Sequence, residues 1–153
     1  MVFRAFIGVF VVSWICTFAY KWVSPTAREG REIIESIAGR EVVSITADPV
    51  KDLSLVDRPL VIRDPKAIRA IVQGFESIET HSPNHPDPKR IVALRLQLRD
   101  RQIRGELFDT KNEGVLFYYC SESGWVFGTY RMPKGAAIFE ALEREIQVQR
   151  GGS

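Results

Sequence analysis

The sequence predicts an α+β fold in which one antiparallel sheet is backed by two to three helices, behind a single N-terminal transmembrane helix. Three observations support this prediction. Residues 5–20 form a run of sixteen without a charge. Later segments alternate apolar and polar residues, as half-buried strands do, and others repeat apolar residues at intervals of three and four, as helices do. Because most strands follow one another without an intervening helix, we expect a meander of about six strands.

The uncharged run at 5–20 has the length and flanks of a membrane span. As a helix it would measure roughly 24 Å, and apolar residues on both sides extend it toward the ~30 Å of a bilayer core. Arg4 and Lys21 bracket the run and are long enough to reach the lipid headgroups. Trp22 stands where interfacial aromatic residues are common. We therefore predict an uncleaved membrane anchor at 1–23, with residues 2–23 contacting the bilayer.

Two alternatives to an anchor are open at this stage. A cleaved secretory peptide needs small residues at its cut, and Thr17 and Ala19 supply a poor version of them. A helix buried in a soluble protein is the other alternative. Basic residues stand on both sides of the run, so the positive-inside rule does not decide the orientation. Because a short N-terminal leader normally stays in the cytoplasm, we expect a single-pass protein of bacterial type whose domain is periplasmic or otherwise extracytoplasmic.

Charge and cysteine content exclude some classes of function. The chain has 153 residues, with 21 basic and 19 acidic side chains. Arg4 and Lys21 account for the whole excess of two, so the part after the anchor is neutral. A neutral domain argues against a general nucleic-acid binder. Cys16 lies inside the uncharged run and Cys120 is alone in the domain, so no disulfide is predicted within the domain.

The domain is predicted to begin after a short linking segment. Residues 24–39 are assigned to a juxtamembrane connector with one helix that ends at Gly39, a residue typical of helix C-termini. The globular domain then occupies 40–148, and 149–153 are assigned to a disordered tail.

Strands and one well-marked helix open the domain. A first strand is predicted over 41–47, with Val43 and Ile45 on the same side, and a short second strand over 59–63. A helix over 65–79 follows, because its apolar residues recur at helical spacing.

The N-terminus of this helix is marked by capping residues, and a loop follows the helix. Asp64 is a good N-cap and Pro65 a good first helical residue. Residues 80–89 contain three prolines, which exclude a helix or a strand interior there, so they are predicted to be a surface loop.

The second half of the sequence is predicted to form consecutive β-hairpins. A strand over 90–99 and a two-residue turn at Asp100 and Arg101 predict the first hairpin. The residues paired across it would be Leu98 with Ile103, Leu96 with Gly105, Leu94 with Leu107 and, on the reverse face, Arg95 with Glu106. Strands over 115–120 and 125–130 form the next hairpin, and Pro133 opens a final helix.

The last hairpin is unusually rich in aromatic residues. Its predicted register sets Tyr118 against Phe127 and Cys120 against Trp125. Both of its faces are apolar, whereas a sheet covered by helices on one side needs only one apolar face. Three explanations are open: the connector helix covers the second face, strong curvature of the sheet closes it, or that face is offered to a partner.

Signatures of catalysis and of metal binding are missing from the sequence. There is no glycine-rich phosphate loop, no GxSxG elbow, no HExxH and no CxxC. His81, His85 and Asp87 share the proline-rich loop, but the prolines forbid the helix that would bring the two histidines together, so a solvated polar loop is favoured over a metal site. Cys120 is interpreted as a half-buried structural thiol. We predict no catalytic residue, no metal and no cofactor.

These features favour a protein-binding function. The leading hypothesis is a membrane-tethered, non-enzymatic binding module, either an inhibitor or immunity-like protein or a subunit of a membrane complex. Its partner would be another protein and not a nucleic acid. Tyr118, Trp125 and Phe127 are the candidate contact residues, because Tyr and Trp dominate binding hot spots.

Two other functions are kept as alternatives. A small-molecule or lipid carrier would need a pocket between the curved sheet and a helix, lined by residues such as Leu96, Phe117 and Phe139. An enzyme of unrecognised type is less favoured and would require polar residues such as Asp57, Asp64 and His81 to converge in a cleft.

Overall fold

The computed structural model describes residues 25–76, 78–120 and 126–151. Within them it confirms the α+β class, with three helices and one seven-stranded antiparallel sheet. The helices are α1 (Pro25–Glu35), α2 (Pro65–Gln73) and α3 (Ala136–Gly151). The strands are β1 (Val42–Asp48), β2 (Leu60–Ile62), β3 (Glu79–Thr80), β4 (Pro88–Leu98), β5 (Gln102–Thr110), β6 (Val115–Cys120) and β7 (Val126–Arg131).

The predicted anchor at 1–23 lies outside the described residues. Across the part of the chain that the structure does describe, none of the helices has the length and apolar character to cross a membrane.

The sheet runs in the order β2-β1-β4-β5-β6-β7-β3. The strand that the sequence did not predict is β3, two residues long, which pairs with β7 through Glu79 opposite Arg131 and Thr80 opposite Tyr130. At about 4.8 Å between neighbouring strands, the two edge strands β2 and β3 stand roughly 29 Å apart. Both edges are short, which limits pairing with foreign strands.

One face of the sheet forms the core with the described helices. Val92, Leu94, Leu96 and Leu98 of β4 are all buried, as their alternation predicts. The same continuous cluster takes in buried side chains of each helix, Ile34 and Ile37 near α1, Ile68 and Ile71 of α2, and Phe139 and Leu142 of α3. The three helices therefore lie on one side of the sheet.

The opposite side of the sheet is here called the open face. The register places on it residues of four central strands, which are Arg95 and Gln97 of β4, Gln102, Arg104, Glu106 and Phe108 of β5, Leu116 and Tyr118 of β6, and Thr129 and Arg131 of β7. The open face is polar at its β4 side and apolar around Phe108, Leu116 and Tyr118.

The connector helix α1 belongs to the domain core and does not cover the open face. It ends at Glu35 and not at Gly39, because the amides of Ile37 and Gly39 bond to carbonyls three residues back, at Ile34 and Ser36, in a tighter turn. α1 packs on β7, where a Cβ at Gly30 would lie 2.7 Å from the Tyr130 hydroxyl oxygen.

The first strand differs from its predicted pattern. A bulge between Val42 and Ser44 shifts the register against β4. Because a bulge adds one residue to the strand, the residues that precede it lie on the opposite face of the sheet from the one that simple alternation predicts. Val42, Ile45 and Ala47 are buried, whereas Val43, predicted to share the side of Ile45, is 51% exposed.

The start of α2 is confirmed and its end is earlier than predicted. The carboxylate of Asp64 accepts a hydrogen bond from the Ala67 amide at 2.9 Å, as an N-cap does. The helix ends at Gln73 instead of at 79, because the Gly74 amide bonds to Ile71 and starts a turn. Gly74 there packs closely against Ile138 of α3.

Both predicted hairpin registers are displaced by two residues. The β4–β5 turn is centred on Arg99 and Asp100, so Ile103 faces Leu96 and not Leu98. Arg95 therefore lies opposite Arg104 instead of Glu106. A shift of two residues leaves every side chain on its predicted face, because strand side chains alternate with a period of two.

Arg95 makes its ion pair with a different strand. Its Nε and Nη2 donate to the two carboxylate oxygens of Asp48 on β1, at 2.5 and 2.8 Å. The β6–β7 hairpin shows the same kind of displacement: Tyr118 lies opposite Thr129 and not Phe127, while a bulge sets Cys120 opposite Val126 and not Trp125.

Candidate functional site

The apolar end of the open face is built around two aromatic rings. Phe108 of β5 and Tyr118 of β6 pack with their ring centroids 4.6 Å apart, at an angle of 50°. Both side chains are partly exposed. Of the three residues predicted to contact a partner, Tyr118 is thus on the open face. Trp125 lies outside the described residues, and Phe127 is described only as part of the β7 backbone.

A histidine and a glutamate border this aromatic pair. The pairing of β3 with β7 continues for one residue, since the His81 amide donates to the Thr129 carbonyl at 3.0 Å. This puts His81 at the edge of the open face. Its Nε2 lies 2.5 Å from Oε2 of Glu113, which is on the turn between β5 and β6. The two side chains are only 18% and 11% exposed, so the contact is largely shielded from water.

Glu113 is held by more than His81. Its Oε1 accepts from the Asn84 amide at 3.0 Å, and its own amide donates to the Thr110 hydroxyl at 3.0 Å. The hydrogen bond from His81 is the main cause that lowers the pKa of the Glu113 carboxyl, with the Asn84 amide and the positive charge of Arg131 adding to it against the opposing effect of burial. Burial raises the pKa of the nearby Tyr118 phenol, and the charge of Glu113 adds to that shift.

The His81–Glu113 pair is the part of the site that the sequence did not reveal. The two residues are separated by 32 positions, and neither belongs to a motif. If Nε2 carries the proton that is shared with Glu113, Nδ1 is left as an acceptor, which is the tautomer that a general base needs. The sequence offered no such partner for either histidine. The structure supplies one, and it also ties the histidine into a network of loop contacts.

The three loop residues weighed as metal ligands turn to different partners. The His85 carbonyl accepts from the Asn112 side chain at 3.1 Å, and the Asp87 carboxylate pairs with Lys111 at 2.9 Å, while His81 pairs with Glu113. Within the described residues there is no group of three or more side chains suited to hold a metal ion.

Asp57, Asp64 and His81, the polar residues that an enzyme would need in one cleft, do not lie close together in the structure. Asp57 pairs with Arg150 of α3 at 2.9 Å, and Asp64 caps α2. Both flank β2 at one edge of the sheet, whereas His81 follows β3 at the other. The width of the sheet therefore separates the two aspartates from the histidine.

The remaining candidate residues, for a reactive thiol and for a ligand pocket, are packed in ways that are typical of a structural role. Cys120 is partly buried, and burial raises the pKa of its thiol, with Glu106 adding to the shift; this matches its interpretation as a structural thiol.

The side chains named for a carrier pocket have no exposed surface and belong to one packed cluster; they are Leu96, Phe117 and Phe139. A ligand would reach them only if the sheet and helices separated.

We expect the Glu113 carboxylate to stabilise the fold in a pH-dependent way. Its pKa in the folded chain is below the ordinary value of 4.5. The stabilisation is therefore fully present above pH 4.5 and is lost as the pH falls through the lowered pKa. Urea unfolding between pH 6 and pH 3 should show a steeper loss of stability for the wild type than for Glu113→Gln.

The control for this measurement is Asp87→Asn, which changes a carboxylate of an exposed ion pair in the same loop. Its pH profile should follow that of the wild type closely, because exposed pairs contribute little. Equal slopes for all three proteins would contradict the assignment of the shift to Glu113.

Comparison of the chain with models of known protein families, with curated proteins and with solved structures gave no match in any of the three.

Proposed function

We propose that this chain is a membrane-tethered, non-enzymatic protein-binding module, anchored through residues 1–23 with its domain on the extracytoplasmic side, and that the open face is its binding surface. The observation that carries the proposal is the one-sided packing of the sheet. All three described helices lie on one face, which leaves the ring pair Phe108–Tyr118 on the other. An uncovered sheet face is normally polar, and exposed apolar clusters on it are typical of interaction sites.

The residue types around the ring pair support a protein partner. Interfaces are enriched in aromatic residues and arginine. Arg104 is exposed and neighbours Tyr118 diagonally, with Glu106 as the direct cross-strand partner of Tyr118. Among the described residues Arg104 bonds to the Gln102 side chain at 2.6 Å and is in no ion pair. Its exposed guanidinium can meet a carboxylate of the partner beside the aromatic rings.

The chemistry of the partner follows from this arrangement. It is a protein surface with an apolar side chain for Phe108 and Tyr118, and an acidic side chain for Arg104. An inhibited or neutralised protein and a neighbouring subunit of a membrane complex both meet these requirements.

Site-specific photo-crosslinking of the full chain in its native membranes tests the proposal. A photoreactive phenylalanine analogue is placed at Tyr118, at Phe108 or, as a matched control, at Val148 of α3, which is 68% exposed on the helical side. We expect the first two positions to give an adduct with the same protein and Val148 to give none.

The identified partner is then purified and its affinity measured. Tyr118→Ala should weaken binding by a factor of about 30 or more, since a hot-spot residue contributes about 2 kcal/mol or more. Val148→Ala should leave the affinity unchanged. Adducts of equal yield from Val148, or an unchanged affinity for Tyr118→Ala, would show that the open face is not the binding surface.

A further inference from the structure

The loop over 81–87, here called the strap, crosses part of the sheet. It leaves β3 at the sheet edge and enters β4 near the centre, so it must pass β7, β6 and β5. Pro83 and Pro86 restrict its backbone. His85 has a positive φ of 55°, which a residue other than glycine adopts only when its surroundings hold it there. The strap is therefore a defined segment with a fixed course.

The far half of the strap is fastened to the turn at 111–114. The Asp87 amide donates to the Asn112 side chain at 3.1 Å, and the Lys111 amide donates to the Asp87 carbonyl at 2.9 Å. The Asn112 side chain in turn donates to the His85 carbonyl at 3.1 Å. Most of these contacts are exposed. The near half depends on Glu113, which holds both the His81 ring and the Asn84 amide.

The attachment of the near half of the strap to Glu113 lies close to a buried leucine. Leu116 is on the open face, between Phe108 of β5 and Arg131 of β7. It has no exposed surface, although the described helices all pack on the other face. His81 approaches from the edge beyond β7, and Glu113 stands just before β6. The contact between them therefore reaches across β7 to the turn that precedes β6, the strand that carries Leu116.

We propose that the strap is a cover over the apolar end of the open face, latched by His81 and Glu113, and that its release exposes Leu116 to the protein partner. This inference rests on the proposed function and adds its regulation. With the latch closed, Phe108 and Tyr118 offer a small patch. With it open, Leu116 joins them into a continuous apolar surface, which suits a partner that inserts an apolar side chain.

Hydrogen exchange of the full chain tests whether the latch holds the strap. Glu113→Gln keeps the size of the side chain and removes its charge, and His81→Ala removes the other partner. In both variants we expect the strap amides to exchange at least about tenfold faster, because charge-assisted hydrogen bonds are the stronger ones. Asp87→Asn, which changes an exposed pair of the same strap, should alter exchange by less than about threefold.

Crosslinking from position 108 then tests regulation. Glu113→Gln should raise the yield of the partner adduct relative to Asp87→Asn and the wild type. Unchanged exchange in both latch variants would overturn the latch. Faster exchange with an equal or lower adduct yield would show that the strap opens but does not control binding. If no adduct forms from any position in the wild type, the proposed function fails and the regulation with it, whereas exchange still reports on the latch itself.

Discussion

Replacing Gly105 with alanine is expected to destabilise the domain by about 3 kcal/mol, near the upper end of what overpacking costs. Gly105 is buried in β5, at the centre of the sheet, between β4 and β6. A Cβ at this position would lie 2.6 Å from Cε2 of Phe117 and 2.6 Å from the Tyr118 carbonyl oxygen. The Phe117 ring is itself fixed by an edge-on contact with Phe75 at 5.1 Å.

The carbonyl contact is the harder one to relieve, because that oxygen belongs to the backbone of the paired strand. Chemical denaturation followed by circular dichroism measures the effect. Gly39→Ala is the matched control, since the nearest heavy atom to a Cβ there is 4.0 Å away. It should change stability by less than about 0.5 kcal/mol. A loss at Gly105 no larger than that of the control would mean that β5 and β6 do not pack as described.

Phe139→Ala is expected to cost roughly 3–5 kcal/mol, as removal of a buried phenylalanine typically does. Phe139 of α3 has no exposed surface, and the Arg90 guanidinium carbon stands 4.6 Å above its ring. Arg90 also bonds to Asp109 at 2.9 Å and contacts Glu143 of α3. The substitution removes ring packing and the cation–π contact together, at the point where α3 is joined to the sheet.

Val148→Ala in the same helix is the control, because that side chain is 68% exposed. Its effect should stay within about 0.5 kcal/mol. A comparably small loss for Phe139→Ala would contradict a tightly packed layer between helices and sheet. It would instead favour the carrier alternative, because a protein that keeps a ligand chamber tolerates empty volume at that position.

The faces of the strands were predictable, whereas their exact pairing was not. Leu94 and Leu96 are buried as their alternation requires, and moving the turn from Asp100–Arg101 to Arg99–Asp100 changes their partners without changing their side. The sequence contains no feature that distinguishes these two turn positions. The bulge in β1 was also not predictable, because no glycine or proline marks it, and so Val43 was assigned to the wrong face.

The candidate site was predictable only in part. Tyr118 was chosen as a candidate contact residue from the aromatic excess of its hairpin, and its place on the open face follows from the strand register. The contact of His81 with Glu113 was not predictable, because it depends on β3, which at two residues is too short to show a period. The proline content of the strap indicated a loop with a fixed backbone, but a proline pattern does not specify where such a loop is fastened.

The close fit of Gly30 against Tyr130 also restricts how the molecule can move. With α1 seated on β7, the segment that begins at Pro25 and the sheet move together as one rigid body.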